Sequence, residues 1–79
     1  PEMVQSWDVL AKRLLKSELK RCGVTYTRLV EQLAKIGISE SEPNVRNKIA
    51  RGKLTAVFLL QVLTAIGVKE YDWTDAVRL

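Results

Sequence analysis

The stretch Ser41–Leu54, SEPNVRNKIARGKL, decides how this chain is read. Between Glu42 and Arg51 it holds only two large aliphatic residues, Val45 and Ile49, among Asn44, Arg46, Asn47, Lys48 and Arg51. A spacing of four places Val45 and Ile49 one turn apart on the same side of a helix. If that side meets a core, Asn44, Asn47, Lys48 and Arg51 spread over the outer half, with Arg46 to one side. Ser41 suits an N-cap, Glu42 and Pro43 suit a first turn, and Gly52 suits a stop. The stretch therefore predicts a helix over 42–51 with a ridge of amides and cations. The open question is whether that ridge meets nucleic acid or only water.

Working outward, the flanking segments also carry helical periodicity. Trp7, Leu10, Ala11, Leu14, Leu15 and Cys22 form a broad apolar stripe, mostly opposed by Lys12, Arg13, Lys16, Lys20 and Arg21. Ser6 suits its N-cap and Gly23 its stop. Glu18 falls inside the apolar arc and is expected at its edge; the other reading pairs it with Arg46 or Arg51. A second helix should follow Thr25, face Leu29, Val30 and Leu33 inward, run to about Lys35 and stop near Gly37. The loop GISESEP, 37–43, leads into the third helix. From about Thr55 to Ile66 the chain is apolar on nearly every side, which predicts a central helix surrounded by its neighbours. A short fifth helix is expected from about Trp73, capped by Asp72. The fold class expected is all-α, as one domain over 1–79.

Composition bounds the function. At 79 residues with 47% apolar content, the chain can build one core and is not expected to be disordered. The formal charge is +4. Residues 1–53 hold eleven basic against six acidic residues, and residues 54–79 hold two against three. Positive charge concentrated in this way attracts phosphate, although it also serves solubility. One cysteine, Cys22, and no histidine leave no intrachain disulfide and no expected zinc site. No run of apolar residues is long enough to span a bilayer, and a cytoplasmic location is the default expectation. No metal or other cofactor is expected. With no histidine and no nucleophile beside an oriented base, the chain is not expected to be an enzyme. Cys22 beside Arg21 is expected to be an ordinary buried thiol.

Two short helices joined by a loop, the second with a polar outer face, make a helix-turn-helix candidate over about 25–52. The major groove admits a helix; asparagine pairs well with adenine, and arginine or lysine with guanine. Asn44 and Asn47 are one turn apart and could meet neighbouring base pairs, with Lys48 and Arg51 on the backbone. Glu42 is the physical objection, because it would repel a phosphate drawn to the helix N-terminus unless it accepted from cytosine.

The segments GVTYTRLVEQLAKIG and VRNKIARGKLTAVFLLQVLTAIGV resemble the phage lambda repressor and Cro-like family over about residues 10–68. The shared signals are Gly23 with Thr25, Arg51 with Gly52, and the apolar run Leu59, Leu63, Ala65, Ile66, Gly67, Val68. A closer resemblance is to a small bacterial domain family without assigned function, marked by Asn-Lys-Ile-x-Arg-Gly leading into Phe-Leu-Leu-Gln. The lambda-like resemblance implies a four- to five-helix domain with a variant helix-turn-helix. It also implies transcriptional regulation, with a homodimer on paired half-sites of double-stranded DNA. The base contacts it implies are Asn44, Arg46 and Asn47. The backbone contacts are Tyr26, Arg28, Lys48, Arg51 and Lys53. Two features depart from the family pattern: the link between the second and third helices is longer, and Glu42 and Pro43 stand where base-reading residues commonly sit.

The tail 69–79 offers Tyr71, Trp73, Val77 and Leu79 as a dimer interface. The same residues could instead cover the first helix and Trp7. A helical protein-interaction adaptor, using FLLQVL or the tail, is the alternative function.

Overall fold

Each described helix contributes one pair of apolar residues spaced four apart to a central cluster, and Leu10 near the start of the first helix is buried as well. The computed structural model describes residues 7–52 and 54–71. Its helices are α1 (Trp7–Cys22), α2 (Tyr26–Lys35), α3 (Glu42–Arg51) and α4 (Ala56–Ala65), with no strand among the described residues. The pairs are Leu15/Leu19, Leu29/Leu33, Val45/Ile49 and Phe58/Val62, and none of the eight is more than 4% exposed. Burying such side chains contributes roughly 1.5–3 kcal/mol each before conformational entropy is set against it.

Local chemistry sets the helix ends. The hydroxyls of Thr25, Ser41 and Thr55 accept hydrogen bonds from the N–H groups of Arg28, Asn44 and Phe58, at 3.1, 3.2 and 3.0 Å. Caps of this kind are worth about 1 kcal/mol each. At the end of α1, the Gly23 N–H donates to the Lys20 carbonyl and the Val24 N–H to the Leu19 carbonyl. This paired closure uses a glycine followed by an aliphatic residue that folds back on the core. The pairs Gly37-Ile38 and Gly67-Val68 repeat the two hydrogen bonds.

Gly52 ends α3 for a stronger reason. Its φ is +72°, and a Cβ there would lie 2.5 Å from the Asp8 carbonyl oxygen. The start of α1 thus rests on the end of α3 at backbone contact. At the same end, Lys12 Nζ reaches the Ala50 carbonyl at 3.5 Å. α1 therefore runs alongside α3, its first turns by α3's last.

Four expectations need correction. Glu18 is not at an edge: it is 3% exposed, and its partner is Arg21 rather than Arg46 or Arg51. Arg21 donates to the same carboxylate oxygen through Nη2 at 2.6 Å and Nε at 3.1 Å. The arginine reaches in from outside, so the carboxylate is buried while the guanidinium stays largely in water. Trp7 is outside the stripe, at 69% exposure, while Leu19 fills the core position. Cys22 is half-buried rather than enclosed. α4 is not central: it packs against α1 and α2, and leaves Val57 and Leu60 each 64% exposed. An apolar surround cannot tell a helix how many neighbours it has; here the side carrying Val57 and Leu60 is left uncovered among the described residues. The expected Ser6 cap and fifth helix lie outside the described residues.

Candidate nucleic-acid interface

α3 is pinned by Val45 and Ile49, both with no exposed surface. That fixes its rotation about its own axis. Asn44, Arg46, Asn47, Lys48 and Arg51 are all exposed as a consequence. The side chains of Asn44 and Asn47 make no hydrogen bond among the described residues, so their amides remain available to a ligand. They sit three residues apart, about 4.5 Å along the axis.

The cations of this face are in a different state. Arg46 donates to Glu42 Oε2 at 2.5 Å, and its guanidinium stands 5.3 Å from the Tyr26 ring centroid. The Thr27 hydroxyl donates to the other Glu42 oxygen at 3.0 Å. Glu42 thus joins the first turn of α2 to the first two turns of α3, with both oxygens occupied. Its charge is offset by Arg46, which softens the repulsion expected between Glu42 and a phosphate. The same pairing occupies Arg46, one of the three side chains expected on bases.

Lys48 donates to Glu40 in the preceding loop at 2.8 Å, and its Nζ lies 4.8 Å from the Phe58 ring centroid. This contact ties the long α2–α3 link and the start of α4 to the third helix. Arg28 pairs with Glu31 at 3.2 Å, with both side chains more than half exposed. An exposed pair of this kind is worth little and opens readily. Tyr26 is half-buried under Arg46, and Arg51 is exposed. Lys53 lies outside the described residues, as do Trp73, Val77 and Leu79. Tyr71 is half-buried near Arg21 and helps to raise that arginine's pKa above its usual value, after the hydrogen bond and charge of Glu18 and the charge of Cys22.

Beside this face, an open groove of about 520 Å3 runs between α1 and the N-terminal turns of α2 and α3. Lys16, Lys20 and Arg46 stand on its walls, with Tyr26, Thr27 and Glu42. Lys16 and Lys20 are absent from the expected set, although their spacing of four on one side of α1 was visible in the sequence. The reason they matter is tertiary: α1 lies next to α3. Among the described residues, no group of three or more histidine, cysteine or carboxylate side chains is gathered as a metal site. No described helix is long and apolar enough to cross a membrane.

A family described as a domain of unknown function, DUF6471, matches residues 7–71. The chain belongs to that family. The matched segment spans all four helices of this DUF6471 domain, from the first residue of α1 to Tyr71. No curated protein and no solved structure gives a significant match.

Proposed function

We propose that this domain binds double-stranded DNA sequence-specifically, as a transcriptional regulator of the lambda repressor and Cro type, with α3 in the major groove. The observation that carries the reading is the pair Asn44 and Asn47: exposed, unpartnered amides on a helix whose rotation is set by two fully buried residues. Bidentate contacts to adenine use amides that face outward and are free to pair, and this helix rotation leaves both so. Arg46 contributes to the reading surface from its seat on Tyr26 and Glu42, and Arg51 and Lys48 meet the backbone. Two copies acting together double the contacts of so small a module. The outer side of α4 suits that pairing: Val57 and Leu60 are exposed, and no charged residue occurs between Leu54 and Val68.

The same apolar side favours a second reading, an adaptor whose α4 receives a partner protein. The two separate by titration with a pool of random duplexes at two salt concentrations, followed by sequencing of the retained DNA. The DNA reading predicts retention that weakens steeply with salt and an enriched sequence. Retention of no duplex at low salt would leave the adaptor reading standing.

A further inference from the structure

Two of the cations expected on the DNA backbone are paired within the protein, Lys48 with Glu40 and Arg28 with Glu31, and Arg46, expected on bases, is paired with Glu42. Lys16 and Lys20 are exposed and have no acidic partner among the described residues. They rise from α1 one turn apart, about 6 Å along the axis. That interval is close to the step between successive phosphates of one nucleic-acid strand. They wall the groove beside α3, with Tyr26, Thr27 and Arg46 alongside them and the apolar side chains of Leu19 and Val24 also lining it. Among the described residues, the one carboxylate lining this groove is Glu42, and both its oxygens are occupied by Thr27 and Arg46.

We propose that Lys16 and Lys20 of α1 form a backbone track, seating consecutive phosphates of the duplex strand that flanks the base pairs met by α3. The inference rests on the DNA reading given above and extends its footprint from the helix pair α2–α3 onto α1. Charge complementarity selects the occupant: the free positive charges lie at strand-like spacing, next to the face that carries the base-reading amides. These contacts touch no base edge. They therefore raise affinity on every sequence and leave preference unchanged.

The test compares the salt dependence of binding for the unaltered chain, the Lys16→Gln/Lys20→Gln variant and a control, Lys35→Gln/Lys69→Gln. The control removes the same charge from two exposed lysines that do not line the groove. A preferred and a random duplex serve as probes. Loss of two phosphate contacts should flatten the slope of log K against log salt by about 1.8, so that between about 50 and 200 mM salt the variant loses about twelvefold less affinity than the parent. The flattening should be equal on both duplexes, and the control should keep most of the parent slope. A variant slope equal to the parent's, or a control flattened as much as the variant, overturns the track while leaving DNA binding in place. Failure of the unaltered chain to bind either duplex removes the DNA reading itself, and the track with it.

Discussion

Replacing Glu42 with Gln should move stability and DNA affinity in opposite directions. The carboxylate accepts from Arg46 within α3 and from Thr27 across to α2. The Arg46 and Glu42 side chains are 56% and 36% exposed, so solvent screens the pair. Its share of stability is about 0.3–0.5 kcal/mol. The negative charge in the first turn of α3 adds roughly 0.3–1 kcal/mol through the helix dipole. A glutamine oxygen still accepts from Thr27, so the expected loss is about 1 kcal/mol in all, or about 5 °C in melting temperature. On DNA, the substitution removes a repelling charge and frees Arg46. One more unit of net positive charge at the interface, counted as one further counterion released, steepens the salt slope by about 0.9, which is about 3.5-fold more salt sensitivity between about 50 and 200 mM. Thermal unfolding by circular dichroism and fluorescence anisotropy with a labelled duplex read the two effects. A variant that is less stable and also binds DNA more weakly would refute the reasoning, because Glu42 would then be supporting the interface rather than restraining it.

Other outcomes follow from the same geometry. Asn47→Ala should lose about 1–3 kcal/mol of discrimination between preferred and mismatched duplexes; equal losses on all duplexes would remove its base-reading role. Gly23→Ala should cost about 1–2 kcal/mol, the ordinary penalty of a left-handed residue with open space around it. Gly52→Ala should cost about 3 kcal/mol or more, because the added methyl also meets the Asp8 backbone; urea unfolding midpoints compare the two. Arg21→Met should lower the melting temperature more than Arg28→Met, since only the former strands a buried carboxylate. Arg28→Met should stay within about 0.5 kcal/mol of the parent. Leu60→Glu should weaken self-association in sedimentation equilibrium while leaving the fold intact, because the side chain is already exposed.

What the sequence made legible was local. Thr25, Ser41 and Thr55 cap through hydroxyls three residues from the N–H groups they accept, so the starts of α2, α3 and α4 need no tertiary knowledge. The spacing of Val45 and Ile49 likewise determined which side of α3 faces out. Properties that depend on neighbours could not be read this way. Glu18 in an apolar arc gives no sign of whether Arg21 will reach back along α1 or another helix will supply the partner. The run AVFLLQVLTAIG is apolar enough for a surrounded helix, yet only packing decides that α4 keeps an open side. The ion pairs of Arg46 and Lys48 depend on where the α2–α3 link places Glu40 and how α2 approaches Glu42. For that reason the sequence ranked these cations as free and overlooked Lys16 and Lys20.

The side-chain amides of Asn44 and Asn47 offer a direct observable. In a nitrogen-15 labelled sample, the side-chain NH2 resonances of Asn44 and Asn47 can be followed while a duplex recovered from the random pool is added. The account predicts that both pairs shift, together with backbone amides of α3, while Val57 and Leu60 amides move only where two copies come together on one duplex. Shifts confined to α4, with the Asn44 and Asn47 side chains unmoved, would contradict it.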